Sequence, residues 1–239
     1  MNDEIFEQIH RSLTVEQIMT PKEEFYFHPQ DSKLHKEITI FPIKNEDGSI
    51  IRYYDSEGSR EHYILPNKVV SKNLDIMSLI KMLDRNSFFF VTHDEIVGIV
   101  TVADLRKGAV RMFFYLLLYR LENRMKAFFK ERMSEAEFIE LAKPKCRSQN
   151  KVYELSVFEE CSFYDYLVAL KNYDFFKQKY GLSIRDVEQF GGLDKFRNWI
   201  MYPSREEVRV KIDSDLEYNH YLFKQLDRIQ KLEILLQDS

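Results

Sequence analysis

Cysteine is scarce in this chain, with only Cys146 and Cys161 among 239 residues, so no disulfide framework is available to hold the fold. Neither cysteine has Cys or His partners at zinc-ligand spacing, and no metal site is expected. Glycine is almost as rare, at seven residues, and most of these lie between Gly48 and Gly108, where tight turns would need them. Long apolar runs are missing too. The densest, Met112 to Tyr119, is far too short to span a bilayer, and the opening residues MNDEIFEQIH lack the basic start and apolar core of a secretory signal. These absences predict a protein of a reducing compartment, cytoplasmic and without a membrane partner.

Charge of one sign is also lacking. The formal net charge is −4, which gives the chain as a whole no electrostatic case for binding RNA, although a local basic strip remains able to meet phosphate. The best such cluster is Lys143, Lys145, Arg147 and Lys151, a pattern that is ordinarily just solvated. There is no phosphate-binding Gly-rich loop, no pair of histidines one turn apart and no Gly-x-Ser-x-Gly elbow. The lone histidines His28, His62, His93 and His220 read as surface or satisfied core residues.

What is present divides into two styles near residue 105, with no linker between them. Before it come short strands and turns. Leu13 to Met19 reads as an entry segment ending at Thr20-Pro21, and Ile38 to Ile43 as a strand. The turn Asn45-Glu46-Asp47-Gly48 leads to a second strand, Ile50 to Tyr54, and His62 to Leu65 suggests a third. From Val69 the pattern is cleaner: an extended Val69-Val70, a helix over Leu74 to Leu83, a strand Phe88 to Val91, and a strand Ile96 to Thr101 returning across His93-Asp94-Glu95.

After that the chain reads as helical. A helix beginning near Asp104 is predicted to run for about 25 residues, roughly 38 Å. Others are predicted over Ser134 to Ala142, Ser162 to Tyr180, Ser183 to Met201 and Asp213 to Leu236, with breaks at Gly181, Gly191-Gly192 and Pro203. The many aromatic residues at helical spacing are expected to form core.

The stretch Val69 to Leu105 resembles a CBS motif, most closely in Gly98-Ile99-Val100-Thr101-Val102-Ala103-Asp104. In that family this segment holds the ribose and phosphate of an adenosine nucleotide. The resemblance therefore implies AMP, ADP or ATP as a regulatory ligand. Its site would comprise Thr101 and Asp104 with Gly98, and Ser71 and Phe90 on the adenine-facing edge. A carboxylate can accept from both ribose hydroxyls, and the Thr101 hydroxyl with free N–H groups at the following helix start can meet a phosphate. The same Thr-x-x-Asp spacing is also that of a capping box, which starts helices in proteins that bind nothing. Ile18-Met19-Thr20-Pro21 matches the entry of a first CBS copy. No Gly-h-x-Thr-x-x-Asp segment precedes Pro66, and Ser56 to Arg60 looks inserted, so this copy is degenerate and the pair is expected to hold at most one nucleotide.

Residues 108–239 resemble a HEPN domain through their helix count, long first helix and the motif Phe196-Arg197-Asn198-Trp199-Ile200-Met201-Tyr202-Pro203. HEPN ribonucleases carry Arg, a polar residue and then His, and here Tyr202 stands in the His position. RNA cleavage needs a group to help remove the 2′-hydroxyl proton, and a phenol is a poor base at neutral pH. Arg197, Asn198 and Tyr202 are therefore candidates for a site without hydrolysis, with pairing of Arg197 to Glu122 or Asp194 as the plain structural alternative.

The expected organisation is thus a CBS-domain pair over residues 1–107 fused to an all-helical HEPN-like bundle over residues 108–239, α/β followed by all-α. The function implied is an adenosine-nucleotide sensor, a homodimer, in which the pair controls the bundle. The alternatives are a nucleotide-regulated HEPN ribonuclease and a homodimeric interaction scaffold.

Overall fold

The structure, a computed structural model, describes residues 3–27, 40–55, 60–143, 156–202 and 214–237. It is mixed α/β at first and helical in its C-terminal part. Two compact units emerge: residues 7–111 with 213–220, and residues 1–6 with 112–212 and 221–239. The division falls between Arg111 and Met112, and each unit claims a short segment from the far end of the other's sequence.

The chain opens with α1 (Asp3–Ser12), a helix that the sequence reading did not anticipate. A 3-10 turn, Val15–Gln17, then leads into β1 (Thr20–Pro21). Strands β2 (Ile40–Lys44), β3 (Ile50–Asp55) and β4 (Glu61–Tyr63) form an antiparallel meander of their own. The β2–β3 turn needs Gly48, whose φ is +83°, a conformation costly for any residue with a Cβ. The strands continue with β5 (Val69–Ser71), then α2 (Ile76–Leu83), β6 (Phe88–His93) and β7 (Glu95–Thr101). Asp75 caps α2, accepting from the Ser78 N–H at 2.8 Å.

These last strands build a second sheet in the order β1-β7-β6-β5, in which β5 runs parallel to β6 and the other pairs are antiparallel. Phe88, Phe90 and Ile99 form a core cluster on it, against which Tyr53 and Ile40 of the meander pack. The Tyr53 ring lies 5.4 Å from that of Phe88 and 5.5 Å from that of Phe90. Apolar burial, worth about 25 cal/mol per Å², thus holds one sheet on the other.

The helix expected at Asp104 starts later. Thr101 leads into a 3-10 segment, Val102–Arg106, and Lys107 is extended (φ −67°, ψ 155°), which interrupts the helical ladder before α3 (Gly108–Arg132). After it come α4 (Glu135–Ala142), α5 (Val157–Glu160), α6 (Phe163–Asn172), α7 (Asp174–Lys179), α8 (Ile184–Glu188), α9 (Gly192–Met201) and α10 (Asp215–Gln237). One predicted helix, over 162–180, is broken in two, and the break expected at Gly191-Gly192 is present. Tyr173 is extended between α6 and α7, its ring drawn toward Phe128 and Phe129, and the segment Gln189–Gly191 tightens to 3-10 between α8 and α9. Phe114, Phe129, Phe138, Tyr166 and Phe196 are fully buried, so many aromatic residues of this part are core as expected, while Tyr164 and Phe175 are exposed. The basic cluster at Lys145, Arg147 and Lys151 and the motif's Pro203 lie outside the described residues. No described helix is long and apolar enough to cross a membrane.

Candidate functional site

The α/β unit contains a cavity of about 640 Å³ at the end of β7. Thr101 and Asp104 line it, with Thr20 from β1, Ser87 ahead of β6, and Ile40 and Pro42 from β2. Phe25 and Tyr26 supply aromatic surface, and Glu24 and Asp215 join Asp104 as carboxylates. Its size lies within the usual range for small-ligand pockets, and its mixture of apolar wall and a few polar groups is typical of them.

The backbone explains why Asp104 points where it does. Thr101 is extended (φ −124°, ψ 171°), and the Asp104 carboxylate folds back on it, with Oδ2 accepting from the Thr101 N–H at 2.7 Å and from its hydroxyl at 3.0 Å. The other oxygen, Oδ1, pairs with the Lys107 ammonium at 2.7 Å. Asp104 is buried at 6% exposure, and these three donors make that burial tolerable. The capping-box arrangement foreseen for Thr-x-x-Asp is therefore present, but it opens the 3-10 segment and not the long helix. Lys107 also donates to the carbonyls of Ile18 at 2.6 Å and Met19 at 3.3 Å, so its three donors are all used.

One of the N–H groups expected to be free for phosphate at this turn is occupied: the Val102 N–H donates to the Ser87 carbonyl at 3.1 Å. The remaining residues assigned by resemblance fall away from the cavity lining. Gly98 is a packing glycine, because a Cβ there would stand 2.6 Å from Met19 Sδ and 2.9 Å from the Thr20 carbonyl, where β1 pairs with β7. Phe90 is wholly buried in the inter-sheet core, and Ser71 is exposed at the end of β5, its hydroxyl accepting from the Asn73 N–H at 3.2 Å. Sequence reasoning missed Phe25, Tyr26 and Asp215. Nothing in the local pattern marks the first two, and Asp215 reaches the cavity from a part of the chain over a hundred residues away, where the Arg106 guanidinium donates to it at 2.9 Å.

In the helical unit, Arg197 borders a separate cavity of about 320 Å³ with Tyr119, Glu122, Lys126, Cys161 and Tyr166. Its guanidinium donates to Glu122 at 3.2 Å. Lys126 is ion-paired to Glu159, and its ammonium is pushed below the usual lysine range by burial, then by neighbouring Lys130. Burial, reinforced by Cys161, holds the Tyr166 phenol well above its ordinary value, and its hydroxyl donates to the Phe158 carbonyl. Asn198 and Tyr202 do not line this cavity. Asn198 donates to Asp194 at 3.3 Å, and Tyr202 is exposed at the end of α9, where its N–H donates to the Asn198 carbonyl at 2.9 Å. Burial raises the Asp194 carboxyl, against the pull of Arg197. The structure thus does not bring the three motif residues to one cavity.

Among the described residues no group of three or more His, Cys, Asp or Glu side chains is placed to hold a metal ion. No family model matches the chain, and no curated protein matches it.

Proposed function

We propose that the chain is a regulatory protein that responds to an adenosine nucleotide of the AMP, ADP or ATP class, with the α/β unit as ligand-binding part and the helical unit as responder. The observation that carries this reading is the cavity of about 640 Å³ directly beside the buried Asp104 and Thr101. An ionised carboxylate offers about four lone-pair sites. Three donors reach Asp104 from the protein, so it retains room for about one more hydroxyl. A ribose that engages Asp104 through both hydroxyls therefore displaces one of these donors, and in this reading it is the Lys107 ammonium, which has the Ile18 and Met19 carbonyls as other acceptors. Lys107 is the residue before α3, and its carbonyl accepts from the Val110 N–H at 3.1 Å in that helix's first turn. Ligand and helix start in this reading compete for one side chain, which gives a population shift a physical origin.

Thermal unfolding of the intact chain with AMP, ADP or ATP tests it. At a hundredfold excess over the dissociation constant a ligand confined to the folded state adds about 2.7 kcal/mol, several degrees for a chain of this size. The expected outcome is a rise with at least one of the three, much reduced in Asp104→Ala and in the gentler Thr101→Val. No rise with any ligand defeats the sensor reading.

A further inference from the structure

The cavity's polar groups discriminate between the two ends of a nucleotide. Glu24, Asp104 and Asp215 are all acceptors, and no lysine or arginine is among the described residues that line it. Two cations, Lys107 and Arg106, are committed to Asp104 and Asp215 at 2.7 and 2.9 Å. Three donors of this turn are also committed: the Thr101 N–H and hydroxyl serve Asp104, and the Val102 N–H serves Ser87. With Asp104 and Asp215 each offset by its paired cation, the carboxylate left to repel an entering phosphate is Glu24, and neither cation can reach the phosphate without leaving its pair.

A nucleoside gives up one bond, the Lys107 pair with Asp104, and that ammonium keeps the Ile18 and Met19 carbonyls as acceptors. Its two ribose hydroxyls and the exocyclic amine of adenine are donors, matched by carboxylates and by the hydroxyls of Thr20 and Ser87. Phe25 and Tyr26 offer aromatic faces for the base, beside the apolar Ile40 and Ile99. We infer that the cavity selects the nucleoside end of its ligand and rejects phosphate, so that adenosine, or an adenosine derivative with an uncharged tail, binds more tightly than AMP, ADP or ATP. This rests on the reading that the cavity takes an adenosine ligand.

Isothermal titration of the intact chain with adenosine, AMP, ADP and ATP tests it, each at about 50 mM and about 500 mM sodium chloride. The expected result is a ladder in which adenosine is tightest and ATP is weaker by about tenfold or more at low salt. High salt should compress the ladder by improving ATP while leaving adenosine nearly unchanged, and Glu24→Gln should narrow the adenosine-to-ATP ratio at low salt. ATP binding as tightly as adenosine or more so overturns this inference and leaves the nucleotide-sensor reading standing. Binding by none of the four overturns both.

Discussion

Gly98 is the residue at which a sequence motif and a structural duty part company. In the motif it stands as a ligand-side glycine, yet its lack of a side chain is required by Met19 and the Thr20 backbone, which occupy the space where a Cβ would lie. Gly98→Ala should therefore cost about 1–3 kcal/mol, the usual penalty for overpacking, read as a lower urea midpoint with unchanged slope. Because Thr20 also lines the cavity, the same change should weaken ligand binding through displacement of β1. Arg197 is singled out by a different motif, that of residues 196–203, and its charge is met by Glu122 on α3. With both side chains about one-quarter exposed, Arg197→Ala should lose about 1 kcal/mol in the same assay. Glu122→Gln combined with it should cost little more than the single change, since the pair is already broken.

Element by element, the strands were the most legible part of the sequence. Alternation and turn chemistry placed the hairpin around Gly48, and the pairing of β6 with β7 needed only Asp94, whose φ of +66° suits an aspartate turn. The helices were legible in register but not in extent. A continuous apolar pattern over 162–180 hid the break at Tyr173, because nothing local announces that this ring turns toward Phe128 on another helix. The start of α3 was misplaced for a similar reason: Thr101 and Asp104 do form the expected capping arrangement, but Lys107 is pulled out of helical geometry while its ammonium binds Asp104 and the carbonyls of Ile18 and Met19. The cavity was half legible. Its Thr-x-x-Asp corner was written in adjacent residues, whereas Asp215 arrives by tertiary packing.

Two helix starts carry a pH dependence that can be read directly. Hydrogen bonds from Ser134 and Ser183 hold the Glu137 and Asp186 carboxyls below their ordinary values. A depressed carboxyl binds fewer protons in the folded than in the unfolded chain, so its stabilisation is present above the unfolded pKa and is lost as pH falls through the folded one. Carboxyl-detected NMR titration should find both groups titrating below their peptide values of roughly 4. Ser134→Ala and Ser183→Ala should each move only their own partner upward.

At the scale of the whole molecule, the two units differ in what they ask of their sequence. The helical unit spends its aromatic residues on a core in which Phe129, Phe138 and Tyr166 pack within 6.3 Å of one another, and its charged motif residues on pairs that close within the unit. The α/β unit keeps a cavity open beside a buried carboxylate, a feature that core packing alone does not require. Ligand occupancy at that carboxylate is the claim on which the regulatory account depends. Diffraction from crystals of the intact chain soaked with adenosine and with AMP tests it most directly. The account predicts ordered density for the nucleoside in the cavity, its ribose within hydrogen-bond distance of the Asp104 carboxylate and its base against Phe25 or Tyr26. A cavity left empty, or a nucleoside bound away from Asp104, would contradict it.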